Sequence, residues 1–176
     1  MSGYFFTITT NLALSEKHTY RINYYGSLMN RIITFPPFYF FSAILMAPFF
    51  ILFFPSWTMI RFPSTLIGLP VMGAGLYLLQ RSSGIFNERR TTFYLAPPDV
   101  FVREDVYRFS RNPMYLGALI FILGLCALTG NLLSFACPVL FFVSINFFCI
   151  PPEETLMEQT FGNEYLAYRS QVRRWI

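Results

Sequence analysis

At 176 residues the chain is long enough for one domain, and 55% hydrophobic against 12% charged residues excludes a water-soluble globule, which carries about a quarter of its residues as charges. The formal net charge of +4 comes without a basic, aromatic-interleaved surface motif, so nucleic acid is not an expected partner. His18 stands alone and Cys126, Cys137 and Cys149 fit no metal-ligand spacing, so neither a metal centre nor a Ser/His/Asp set is expected.

The mildly apolar stretch 4–14 comes first and predicts a segment along the membrane interface. Four apolar segments follow: Pro36 to Ile60, Phe62 to Leu79, Pro113 to Leu128, and Leu132 to Ile150. A helix needs about 20 residues to cross the hydrocarbon core, which the first and fourth reach and the other two approach. Gly73-Ala74-Gly75 lies inside the second segment. Without a preceding strand it is no nucleotide fingerprint, and small residues there let helices approach closely. Only Thr129, Gly130 and Asn131 separate the third segment from the fourth, which forces an antiparallel hairpin. Asn146 is polar at membrane depth and is expected to bond to a neighbouring helix or to face a cavity.

Beyond the fourth segment, Phe161, Tyr165, Tyr168 and Val172 recur at helical spacing, with Gly162 and Asn163 interrupting. Two short helices are predicted. Arg169, Arg173 and Arg174 are expected to reach lipid headgroups, with Trp175 at the interface. The fold class is therefore all-α: an integral membrane bundle of about four transmembrane helices with a cytoplasmic C-terminal helical segment. It forms a single domain, 1–176, made of an interfacial segment 1–35, spans and a loop 36–150, and a tail 151–176.

Charge sets the orientation. Four spans place both termini and the loop 81–112 on one side, which then holds every Lys and Arg except Arg61, and all nine acids. By the positive-inside rule that side is cytoplasmic. The hairpin brings Arg111-Asn112-Pro113-Met114-Tyr115 close to Pro151-Pro152-Glu153-Glu154, so that a cation, an amide and a phenol meet two carboxylates at the membrane surface. Ordinary helix starts also account for these residues. Asn112 caps with Pro113 in the first helical position, and Pro152 with two acids opens another helix.

The run Tyr107-Arg108-Phe109-Ser110-Arg111-Asn112-Pro113-Met114-Tyr115-Leu116-Gly117 resembles a signature of membrane methyltransferases. A second run does too: Glu153-Glu154 with Leu156, then Phe161-Gly162, Tyr165, Tyr168, and Val172-Arg173-Arg174-Trp175. Both are similar to the isoprenylcysteine carboxyl methyltransferase and phospholipid methyltransferase superfamily, over residues 68–176, and Thr91-Thr92 resembles a pair upstream in bacterial members. The resemblance implies S-adenosylmethionine as cofactor, in a cytoplasmic pocket over the membrane helices, and a lipid-like or amphiphilic acceptor entering from the membrane lipids. It implies that Tyr107, Arg111, Asn112, Tyr115 and Gly117 line the cofactor pocket, with Gly73 and Gly75 near it. By the same resemblance Glu153 and Glu154 would bind the cofactor or shape the reaction centre, with Glu154 and Arg111 nearest the chemistry. Carboxyl methyltransferases carry an Arg shortly before the Glu pair, where this chain has Ile150-Pro151-Pro152. The expected activity is methyl transfer of the isoprenylcysteine carboxyl methyltransferase type; the alternatives are a phospholipid amine N-methyltransferase and a non-catalytic membrane scaffold.

Overall fold

The computed structural model describes residues 35–88 and 101–176. The expectations on stretch 4–14 and on Thr91-Thr92 lie outside the described residues. Within them the protein is all-helical, with five helices.

Helix α1 covers Pro36–Phe53. The apolar run continues to Ile60, but the helix does not. Phe54 precedes Pro55 and takes φ −132°, ψ 57°, because a residue before proline is pushed out of the α region. The chain then turns through Pro55–Trp57 and crosses to the far end of the hairpin, where the Met59 and Ile60 N–H groups donate to the Gly130 carbonyl at 2.9 and 3.1 Å.

Helix α2 covers Gly68–Glu88, displaced towards the C-terminus relative to the apolar segment Phe62 to Leu79. The start of the expected loop 81–112 is therefore helical. Polarity does not stop the helix, because Ser83 donates its hydroxyl to the Leu79 carbonyl at 2.7 Å and Ser82 bonds back to Leu78. Such back-bonding satisfies a polar side chain inside the helix.

Helix α3 covers Pro113–Thr129 and ends at Gly130, whose φ of 66° is left-handed. Its N–H donates to the carbonyls of Cys126 and Ala127, which closes the last turn. The buried Asn131 follows, accepting from Leu133 N–H at 2.9 Å and donating to the Phe54 carbonyl at 2.8 Å. One buried amide thus ties the hairpin to the end of α1.

Helix α4 runs unbroken from Leu132 to Phe161, 30 residues. This corrects the reading of Pro152 and the two acids as a helix start. Pro151 and Pro152 bring no N–H to the carbonyls one turn back. The helix accommodates them by widening into a π-turn at Ile145–Cys149, where Ile150 N–H donates to Ile145. A π-turn of this kind often marks a functional region. Here it carries Glu153 and Glu154 onward on the same rigid stem. Helix α5, Asn163–Gln171, follows Gly162, so the expected pair of helices around that glycine is present.

The core lies between α1, α3 and α4, with Ala43, Ala47, Ile122, Cys126, Phe141 and Ile145 buried together. The opposite faces are apolar but open: Phe41, Leu45 and Leu52 on α1, and Val139, Leu140 and Phe147 on α4. That inversion suits a hydrocarbon surround. Among the described residues, α1 and α4 are long and apolar enough to cross a membrane. Helices α2 and α3 pack most extensively against each other. A Cβ on Gly124 would lie 2.5 Å from Met72 N, and one on Gly117 would lie 2.8 Å from Leu79 N. Only glycine lets the backbones approach so closely.

Candidate functional site

The α3–α4 hairpin brings the first turn of α3 against α4 just past the π-turn. Tyr115, buried on α3, donates its hydroxyl to Glu153 Oε1 at 2.5 Å. Glu153 as a residue is half-buried, with its carboxyl end the enclosed part. Burial pushes that carboxyl up to about 7; the Tyr115 hydrogen bond pulls it down and the neighbouring Glu154 charge pushes it up.

Glu154 differs sharply although it is adjacent. Both its oxygens are taken by cations. Arg111 Nη2 lies 3.0 Å from Oε1. Arg174 places Nε 3.2 Å from Oε1 and Nη2 2.6 Å from Oε2. A buried carboxylate with this many charged donors is an anchor, held in one orientation. Two neighbouring carboxyls in such unlike surroundings are suited to different tasks.

The C-terminal tail closes the arrangement. Arg111 N–H donates to the Arg173 carbonyl at 3.0 Å, and Asn112 Nδ2 and Ser110 Oγ donate to the Arg174 carbonyl at 3.0 and 3.3 Å. Asn112 sits at the start of α3 without a side-chain cap bond, and its Nδ2 donor is spent on the tail. Arg174 Nη1 and Trp175 Nε1 both donate to Asn146 Oδ1, at 3.3 and 3.1 Å, and Trp175 packs on Phe142 with ring centroids 4.8 Å apart. Asn146 thus bonds to the tail rather than to another spanning helix. Arg174 turns inward to Glu154 instead of outward to headgroups, since a buried carboxylate binds a guanidinium more firmly than a hydrated surface does. Arg173 stays exposed, and Arg169 pairs with Glu158 at 3.3 Å.

The fold thus gathers Arg111, Asn112, Tyr115, Glu153 and Glu154. Tyr107 is buried in a separate apolar cluster with Ile85 and Val102, its carbonyl accepting from the Tyr168 hydroxyl of α5 at 2.7 Å. The glycines stand apart from the charged cluster. Gly117 and Gly75 face each other across the α2–α3 crossing, while Gly73 is exposed with open space around it. Sequence reasoning did not place Arg174, Asn146 or Ser110 in the site. A lone amide inside an apolar span was the available signal for Asn146. Nothing local predicts that residues 110–112 and 173–174, far apart in the chain, dock on each other.

Arg111 has a further property. Its side chain is 10% exposed, and Nε and Nη1 are buried with no hydrogen-bond partner among the described residues. Native structures rarely leave such donors unmatched.

Comparison with known proteins adds three findings. The sequence model of the phospholipid methyltransferase family matches residues 64–164. A protein of Haemophilus influenzae, described as uncharacterized, is 41% identical over 63 residues, which cover 36% of this chain and 100% of that relative. No solved structure matches.

Proposed function

The chain belongs to the phospholipid methyltransferase family, among the integral membrane methyltransferases that also include the isoprenylcysteine carboxyl methyltransferases, and from that membership we propose that it moves a methyl group from S-adenosylmethionine to a lipid-like acceptor at the membrane surface. The observation that carries the reading is the pairing of Tyr115 with Glu153 and of Arg111 with Glu154, in one cluster at the end of the α3–α4 hairpin.

The residues present fit the cofactor. It is a sulfonium that supplies an electrophilic methyl group, and its amino-acid end carries a carboxylate. Glu153 and the ring of Tyr115 suit the cation, and the unmatched donors of Arg111 suit an anion. Asn112 stands beside this cluster, and Tyr107, Gly117, Gly75 and Gly73 stay assigned to the cofactor side by family resemblance. Methyl transfer is an in-line displacement, so the protein's work is to orient the reactants and exclude water. Glu154, fixed by Arg111 and Arg174, anchors the geometry.

Glu153 favours an amine acceptor over a carboxylate. A carboxylate needs no base, whereas an ammonium must lose a proton before it attacks. Glu153, with its carboxyl pushed up to about 7 and accepting from the Tyr115 hydroxyl, is suited to take that proton. A carboxyl acceptor also lacks the arginine that carboxyl methyltransferases place before the Glu pair.

The topology that accompanies this reading has four spans, with both termini and the site cytoplasmic. Its support is the segregation of all Lys and Arg but Arg61. The test is S-adenosylmethionine binding to detergent-purified protein by calorimetry, beside Glu153→Gln and Glu154→Ala. Binding by the wild type that both variants weaken is expected. Well-folded protein that never binds, with or without lipid, would point to the scaffold alternative.

A further inference from the structure

We infer that Arg111 is the receptor for an oxyanion of a bound ligand, a carboxylate or a phosphate, which it holds through Nε and Nη1. The inference rests on the reading of this cluster as the methyl-transfer site and adds what one of its residues recognises.

Three observations converge. First, Arg111 is nine-tenths buried and spends only Nη2 on Glu154. Its other two nitrogens meet no acceptor among the described residues and are shut away from solvent. A guanidinium in that position has lost its water without replacing it, which is costly unless a ligand atom completes the set.

Second, the local charge does not balance. Arg111 and Arg174 share the single carboxylate of Glu154, and both its oxygens are already engaged. Glu153 is turned to Tyr115 instead, and its raised pKa leaves it a weak counter-charge near neutral pH. The cluster therefore carries a surplus positive charge that an arriving anion would neutralise.

Third, Arg111 stands beside the N-terminus of α3, whose cap residue Asn112 makes no side-chain cap bond. The positive end of the α3 dipole adds to the same field. Lysine could supply charge here, but not the rigid fork of donors with which arginine matches a carboxylate or a phosphate.

The oxyanion has two possible sources, the carboxylate of the methyl donor's amino-acid end or the phosphate of a phospholipid acceptor. Two ligand pairs distinguish them by calorimetry on detergent-purified full-length protein. One is S-adenosylhomocysteine against its decarboxylated analogue. The other is dihexanoylphosphatidylethanolamine against dihexanoylglycerol. Each pair is titrated into wild type and Arg111→Lys, a variant that keeps the charge opposite Glu154. Melting temperature and tryptophan fluorescence confirm that the variant is folded.

Hydrogen bonds to a charged group predict that the wild type prefers the anionic member of one pair by about tenfold or more. In Arg111→Lys that preference should shrink towards one. Shrinkage in the nucleoside pair assigns the donor carboxylate, and shrinkage in the lipid pair assigns the acceptor phosphate. A folded variant that keeps the wild-type preference in both pairs overturns the inference, as does a wild type with no preference in either. A wild type that ignores the nucleoside pair but discriminates the lipids through Arg111 would sink the methyl-donor reading and leave the oxyanion receptor standing.

Discussion

Replacing Glu153 by glutamine tests the site's electrostatics through stability. The wild-type carboxyl is pushed from its usual value of 4.5 up to about 7, first by burial and then by the Glu154 charge, against the Tyr115 hydrogen bond. Between those two values the folded protein keeps a proton that the unfolded chain releases. Stability therefore falls as pH rises through this window, and the loss is complete above about 7. The interval corresponds to about 3 kcal/mol, at about 1.4 kcal/mol per tenfold change in proton affinity. Glutamine keeps the shape and an acceptor for the Tyr115 hydroxyl but has no charge to bury. The variant should match the wild type near pH 4.5, gain on it up to about pH 7 and hold that advantage to pH 8. Melting temperatures in detergent at half-unit steps from pH 4.5 to 8 measure the difference. A flat difference across that range, or a wild type that gains on the variant as pH rises, would refute the burial argument.

Tyr115→Phe removes the contact that lowers the Glu153 pKa, so any pH-dependent rise in methyl transfer should move to higher pH, as a rate profile would show. Arg174→Ala leaves Glu154 with Arg111 alone and should cost about 1–3 kcal/mol, while Arg174→Lys recovers part of it. A melting series compares the two. At the α2–α3 crossing, Gly117→Ala brings a Cβ within 2.8 Å of Leu79 N and should destabilise by about 1–3 kcal/mol, whereas Gly73→Ala meets open space and should leave the melting temperature unchanged. For topology, Arg61→Cys and Glu164→Cys should label from opposite faces of sealed vesicles with an impermeant thiol reagent, the native cysteines being buried. Labelling of both from one face would remove the four-span arrangement.

Much of the site was legible before any coordinates. The short link at Gly130 and Asn131 dictated a hairpin, and a hairpin necessarily brings Tyr115 to the Glu pair. The asymmetry between the two glutamates was not legible, because they are neighbours in sequence and differ only in what faces them. The α1 boundary was misjudged because apolar character extends past Phe53 while backbone geometry before Pro55 does not. The double proline after Ile150 looked like a helix start because the compensating π-turn is a property of backbone hydrogen bonding, not of residue type.

Composition and the order of apolar segments by themselves determined the class: a helical membrane protein, with its charged chemistry gathered by the hairpin ends. Those features depend on one-dimensional quantities, namely hydrophobic length and loop length. Only the tertiary structure decided that Arg174 and Asn146 belong to the site, that the Asn112 amide donates to the tail, and that Arg111 keeps two donors in reserve. Each of these depends on which distant carbonyl or carboxylate comes within about 3 Å, and packing alone sets that distance.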